Sequence, residues 1–246
     1  MMNKPKDLYH PFFKKILKKI LPNRIYRCYV GRHDDESIRL WKMMAKNIPP
    51  EEAILDIGAF EGIYALAARE CNSRAPIYAF EPNPETAEKL RARCVSKNIA
   101  TIETALAETN GAVSFLLNSQ MSRILDSSPL TTERATQVKA MTLDTWISQN
   151  SVNPSLIKID TEGAEGGIFR GGQNTLRSHR PIIICEVLND LAGKEVALAL
   201  PKNYVYYYIE ENTGIFELPK ITRKAWRNTN WLLVPKERIS EVKPKH

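Results

Sequence analysis

Four cysteines, Cys28, Cys71, Cys94 and Cys185, are spread across 246 residues with no Cys-x-x-Cys pair and no histidine at zinc-site spacing. That distribution rules out a disulfide-stapled fold and a structural zinc module, and the four read as reduced thiols. No apolar stretch approaches the ~20 residues that cross a bilayer. The basic N-terminus lacks the uninterrupted apolar segment of a signal peptide, so the expectation is a cytoplasmic protein. There is no internal repeat. What remains is a 28.0 kDa chain, 43% hydrophobic, which suits one sizeable α/β domain with a terminal extension.

The body of the chain lacks any excess of positive charge, although the formal net charge is +7. Residues 1–32 hold nine Lys/Arg against one Asp, and residues 220–246 hold eight against two, which leaves the body at −7. Nucleic acid is ordinarily met by a basic stripe around the active cleft; basic ends on an acidic body argue against it. The stretch 12–21, FFKKILKKIL, puts Phe12, Phe13, Ile16, Leu17, Ile20 and Leu21 on one half of a helix and four lysines on the other. Such a helix docks on its own domain or a second subunit, as in a homo-oligomer, or makes a peripheral contact with an anionic membrane surface.

A helical pattern over 37–47 and Pro49-Pro50 close a leader of residues 1–50, which leaves 51–246 as the domain. The chain then alternates strand 53–57, helix 63–69, strand 77–81, helix 85–97 and a strand near 101–105, a βαβαβ rhythm that predicts a parallel sheet covered by helices. Asn110-Gly111 is a turn signal before the strand AVSFLL, and residues 118–136 read as an irregular loop. VKAMTLDTWI is a strand giving way to a helix, LIKID and PIIICEV are apolar strands, and YVYYYIEE with WLLVP form a closing antiparallel pair at one edge.

The stretch 53–68, AILDIGAFEGIYALAA, passes from strand to helix through Gly58 and Gly62. In doubly wound sheets ligands sit at the carboxyl ends of the strands beside this turn, and an acid about 20 residues on accepts the ribose hydroxyls. Glu81 lies 19 residues past Gly62, so a nucleoside is expected. Glu61 and Asp56 in the turn would repel a pyrophosphate by a few kcal/mol in a low-dielectric cleft. S-adenosylmethionine (SAM) carries an ammonium and a sulfonium and no phosphate, so an acidic turn suits it.

DIGAFEGIYALA, IYAFEPNPETAEKL, ALAETNGAVSFLL, MTLDTW and IKIDTEGAEGGIFRGG…RPIIICEV, running from Ala53 to Val187, occur in the order seen in FkbM-type SAM-dependent methyltransferases, and NTNWLLVP resembles that family's last strand. The resemblance implies a Rossmann-like, doubly wound, mostly parallel seven-stranded sheet with an antiparallel edge strand, SAM as cofactor, and O-methylation of a hydroxyl on a sugar, glycan or natural product. It implies a cofactor site of Asp56, Gly58, Ala59, Glu61 and Gly62, with Glu81 on the ribose, Ala107 and Glu108 by the adenine, and Asp160 facing the reacting end. Two departures stand out. Phe60 replaces the family's usual Asn, and Gly166-Gly167 replace bulkier residues, which predicts a loose helix.

Methyl transfer to a hydroxyl needs alignment and a proton acceptor. Asp160 and Glu162 are the candidates for that acceptor, with Glu186 beside them at the end of the next strand. Glu165 reads as helix N-terminal charge, Asp144 as a helix cap, and His33 as a solvated loop histidine. The acids could gather a divalent cation, although their spacing does not demand one, and no metal is assigned. The Asn/Asp-Pro-Pro-aromatic signature of amino-group methylation is absent, which favours an oxygen acceptor. RNA methylation, a nicotinamide oxidoreductase and a catalytically weak membrane-associated adaptor are the rival readings.

Overall fold

The computed structural model describes residues 35–116, 123–124, 135–210, 213–222 and 229–242. The 12–21 segment, Cys28, His33 and most of the 118–136 loop lie outside the described residues.

Strand β1 (Ala53–Ile57) is buried at every position and lies between β2 (Ile77–Phe80) and β8 (Pro154–Ile159). Its apolar run marks a parallel strand covered on both faces. Helix α2 (Ile63–Cys71) follows it, and helix α3 (Pro84–Cys94) follows β2. Asn83 caps α3 by accepting from the Glu85 and Thr86 amides, and Pro84 sits in the first turn, where its missing N–H costs nothing. A 3-10 turn over Val95–Lys97 extends α3 to the predicted end. Then come β3 (Ala100–Ile102), β4 (Ala105–Leu106), β5 (Gly111–Leu116), β6 (Arg123–Ile124) and β7 (Ala135–Met141). Helices α4 (Leu143–Asn150), α5 (Glu165–Arg170), α6 (Gln173–Ser178) and α7 (Asp190–Ala199) alternate with β8 and β9 (Ile182–Glu186), and β10 (Tyr204–Glu210), β11 (Gly214–Leu218) and β12 (Asn230–Pro235) finish the fold.

The main sheet runs β11-β10-β12-β9-β8-β1-β2-β3. Five strands, β9, β8, β1, β2 and β3, are parallel, whereas β12 inserts antiparallel to both β9 and β10. The fold is therefore the expected mixed α/β one, with two corrections. The sheet has eight strands rather than seven, because β11, which begins at Gly214 with φ 111°, pairs antiparallel with β10 as an added hairpin strand. The antiparallel strand WLLVP lies inside the sheet, and the edge is β11. The expected strand after Asn110, β5, joins a separate four-stranded sheet, β4-β7-β5-β6, over a small core of Ala105, Phe115, Val138 and Ala140.

Alternation along the strands divides the core into two layers. Ile54, Leu156, Ile182 and Ile184 face α1 (Asp35–Ala45), α2 and α3, while Leu55, Ile157, Ile159 and Ile183 face α4 to α7. Helix α1 buries Leu40, Trp41 and Met44 in the first layer, and Trp41 Nε1 donates to the Tyr64 carbonyl at 2.8 Å. Gly166 lets α5 approach α7, since a Cβ there would sit 3.0 Å from the Glu195 Cβ. Gly166 thus serves close packing, whereas a Cβ on Gly167 would make only ordinary contacts at 3.6 Å and beyond, and both lie in the helix α5.

Candidate active site

The strand order reverses between β1 and β8, and their carboxyl ends form the crevice where such sheets bind ligands. The two ends are tied by the Asp160 amide, which donates to the Ile57 carbonyl at 2.9 Å. Gly58 leaves β1 at φ 79°, and a Cβ on it would lie 1.8 Å from the Asp160 carbonyl oxygen. Only glycine fits there. The amides of Gly58 and Ala59 both donate to the Phe80 carbonyl, and Gly62, at φ 77°, starts α2 above Leu90.

Glu81 is buried at the end of β2, with one carboxylate oxygen accepting from the Phe60 amide at 3.0 Å and the other from the Asn83 amide at 2.9 Å. These bonds fix its plane and leave lone pairs for further donors. Burial raises its pKa, and the two amides act against that rise. Phe60 pays for its amide's direction with a left-handed backbone, φ 48°, and a ring half exposed to solvent.

Glu61 is placed differently from the expectation. Its carboxylate pairs with Arg93 of α3 at 3.1 Å on an exposed edge, so the charge assigned to the turn is matched there. The electrostatic case against a diphosphate loses Glu61 and rests on Glu81, Asp160 and their neighbours. Asp56 also turns inward: it is buried, and its Oδ2 accepts from the Ala65 amide at 2.9 Å, holding the first turn of α2. Burial pushes its pKa up to about 7, against ~3.9 in an unfolded chain. The folded protein binds that proton more tightly, so Asp56 supplies stability that is complete below about pH 4 and lost as the pH rises through 7. Asp56→Asn keeps an acceptor for Ala65. It is expected to raise the thermal midpoint by roughly 5 °C at pH 8 and to leave it unchanged at pH 4, as read by calorimetry at the two pH values.

Ala107 is buried after β4, its amide donating to the Met141 carbonyl, and Glu108 beside it pairs with Arg170 of α5 at 2.9 Å. Asp144 caps α6 through the Asn174 and Thr175 amides, so it does not reach the crevice. Glu165 is fully buried and folds back to accept from the Thr161 amide and hydroxyl and the Gly163 amide, bracing the loop after β8.

Asp160, Glu162 and Glu186 come together as expected: each offers an oxygen, and all three oxygens lie within 4.8 Å of one another. Glu162 takes φ 55° to do so. The Thr229 hydroxyl donates to Glu186 at 2.7 Å. Lys158 was missed. Its side chain has no solvent exposure, its ammonium donates to Asp160 Oδ2 at 3.0 Å and to the Ile159 carbonyl at 3.3 Å, and it lies 5.1 Å from the centre of the Tyr64 ring. Burial works against the charge on Lys158, but Asp160, with Tyr64 and Glu186, outweighs it and holds the lysine protonated. Burial likewise works against the Asp160 charge, and the Lys158 ammonium at 3.0 Å outweighs it, so its pKa falls below the ordinary aspartate value. Glu186 moves the opposite way: burial and the adjacent Asp160 push it well above the usual carboxylate range.

This places acids, a left-handed turn and a fixed carboxylate around one crevice. The sequence profile of the methyltransferase FkbM domain matches residues 56–209, which spans β1 through β10. The chain belongs to the FkbM methyltransferase family. Among its relatives, the hexuronic acid methyltransferase AglP of Haloferax volcanii is 26% identical over 165 residues, 65% of this chain and 65% of that protein. The 2-O-methyltransferase NoeI of Sinorhizobium fredii is 24% identical over 149 residues, 53% of this chain and 61% of that protein. Both alignments thus span less than two thirds of the relative. The crystal structure of methyltransferase FkbM from Methylobacillus flagellatus matches with a TM-score of 0.51 at 14% identity, over 76% of this chain and 44% of that one, a likeness of fold.

A second cleft, of about 400 Å³, opens at the opposite end of the FkbM domain among Asn47, Glu52, Asn153, His179 and Arg238. Arg238 is engaged with Ser155, the Arg180 carbonyl and Glu241, and the cleft lies at the amino ends of β1 and β8, away from the acids. Among the described residues, no helix is long and apolar enough to cross a membrane.

Proposed function

We propose that this FkbM-family chain is a SAM-dependent methyltransferase that methylates a hydroxyl of a sugar or glycan. The observation that carries the reading is the crevice itself: Glu81 held by two backbone amides on one side of Gly58, and the ionised Asp160 with Glu162 and Glu186 on the other. The donor set fits SAM. Glu81 is an acceptor oriented for ribose hydroxyls, and the acids around the crevice complement an ammonium and a sulfonium. The one described lysine of the crevice, Lys158, is already paired with Asp160, which leaves a diphosphate without that cation. Glu81 would hold the ribose, the turn of Gly58, Ala59 and Gly62 the methionine portion, and Ala107 with Glu108 the adenine edge.

SAM supplies a methyl group activated by a positive sulfur. The chain has to bring the acceptor oxygen within about 3 to 3.5 Å of that carbon and in line with the bond that breaks. With SAM held by Glu81 and the Gly58–Gly62 turn, the cofactor would supply the methyl group, and the part of the chain's own residues would be to orient the acceptor hydroxyl and to take its proton at Asp160. Glu186, whose pKa burial and the adjacent Asp160 raise, is oriented by the Thr229 hydroxyl and lies beside Asp160. The sugar acceptor is supported by the hexuronic acid methyltransferase among the relatives, and the oxygen acceptor by the 2-O-methyltransferase.

Labelled-methyl transfer from SAM to a panel of neutral sugars, uronic acids, glycans, RNA and protein tests the reading. Label is expected on a sugar hydroxyl, released as a methyl ether resistant to mild base. Label confined to RNA or protein contradicts it.

A further inference from the structure

Lys158 is the fully buried cation of the crevice, and the reaction outlined above does not use it directly. It sits on β8 between Leu156 and Asp160, and the period of two puts all three on the face towards α1 and α2. In register beside it are Asp56 on β1 and Ile184 on β9. Two residues beyond Ile184 on the same face is Glu186. The groups facing the ammonium are therefore Asp56 from β1, Asp160 from its own strand, Glu186 from β9 and the Tyr64 ring from α2. Glu81 at the end of β2 faces Asp56.

A buried lysine is costly unless paired and hydrogen-bonded. Two carboxyl groups compete to be its partner, and the geometry separates them. Asp56 spends an oxygen on the Ala65 amide, whereas Asp160 receives the ammonium directly at 3.0 Å. The ring of Tyr64 closes the other side at 5.1 Å, and the Ser37 and Tyr64 hydroxyls lie 3.0 Å apart, which anchors that ring to α1. The ammonium has one carboxylate it can reach, and that carboxylate is about a third exposed to the crevice.

We propose that Lys158 is a positioning residue whose buried ammonium is the countercharge that makes Asp160, and not the adjoining Glu186, the group that takes the acceptor's proton. This rests on the methyltransferase reading above. Lys158 touches neither acceptor nor cofactor. It keeps its three protons throughout, and the hydroxyl proton moves only from oxygen to Asp160. Without the ammonium, the two neighbouring carboxyl groups lose their asymmetry, and at mildly acidic pH Asp160 is occupied by a proton it has to release before each turnover.

Two measurements on the full chain test this. The first is the pH dependence of kcat/KM for methyl transfer in the wild type, Lys158→Met and Lys158→Arg. The acid limb is expected to move up by at least one pH unit in Lys158→Met, giving a loss at least tenfold larger at pH 5 than at pH 8, and to stay in place in Lys158→Arg. A folded Lys158→Met protein with an unmoved acid limb overturns the proposal, since a lysine that merely stabilises the fold lowers activity equally at both pH values.

The second measurement is a carbon-13 NMR titration of the Asp160 and Glu186 carboxyl groups in the wild type, with Asp160→Asn and Glu186→Gln as assignments. It holds even where Lys158→Met does not fold. Asp160 is expected to lose its proton first, below the ordinary aspartate range, and Glu186 above the ordinary glutamate range. The reverse order overturns the proposal. A wild type that titrates as expected and transfers no methyl group from SAM to any hydroxyl defeats the functional reading instead, so the two failures are distinguishable.

Discussion

Asp160→Asn is expected to lower kcat for methyl transfer by about 100-fold to 10,000-fold, the usual worth of a positioned general base, while the dissociation constant for SAM changes less than tenfold. Asparagine fills the same space and can accept from Lys158, but it cannot take a proton from a hydroxyl. The substitution also leaves a buried ammonium facing a neutral amide. Glu186, whose proton is held partly by the Asp160 charge, then ionises more readily and becomes the countercharge. The pH–rate profile should therefore lose its low-pH activity together with its amplitude. Single-turnover kinetics at saturating SAM separate the chemical step from binding, and an unchanged single-turnover rate would remove Asp160 from the reaction.

Gly58→Ala is expected to destabilise the fold by about 3 to 5 kcal/mol, the sum of a left-handed backbone cost and overpacking. The added carbon would lie 1.8 Å from the Asp160 carbonyl. No side-chain rotation relieves that contact, because both partners are backbone. Relief requires parting the carboxyl ends of β1 and β8, which breaks the bond from the Asp160 amide to the Ile57 carbonyl and moves Asp160 itself. Gly163→Ala is the control: φ there is 117°, with nothing within 4 Å of an added carbon, so only the backbone cost of about 1 to 2 kcal/mol applies. Urea unfolding midpoints compare the two. Equal losses would show that the contact with Asp160 is not tight.

The parts of the site legible in the sequence were those fixed by local period or short spacing. The strand, turn and helix around Gly58 and Gly62 follow from apolar alternation broken by two glycines, and Glu81 from the distance of one βα unit. The gathering of Asp160 and Glu186 followed from their places at the ends of two apolar strands. What was not legible depended on partners far along the chain. Glu61 looks like an anion of the turn until Arg93, 32 residues away, is seen to pair with it.

Lys158 had a signal that went unused. A lysine in the middle of LIKID, two residues from Asp160, falls on the same buried face as Asp160, and a buried lysine needs a carboxylate. The fold was readable as alternating α/β, but the inward place of WLLVP and the extra hairpin strand β11 depend on pairing order. Alternation within one strand does not encode that order. The packing role of Gly166 was hidden for a similar reason: a glycine's propensity cost is local, and its contact with Glu195 of α7 is not.

The most direct test of the central claim, that the crevice beside Gly58 receives SAM through Glu81, is calorimetric titration of the full chain with SAM and with NAD. SAM is expected to bind and NAD not to. Glu81→Ala is expected to weaken SAM about 100-fold or more, the worth of hydrogen bonds to a charged acceptor, and Glu61→Gln less than twofold, because that carboxylate is paired with Arg93. Binding of NAD in preference to SAM, or SAM affinity untouched by Glu81→Ala, would contradict the account.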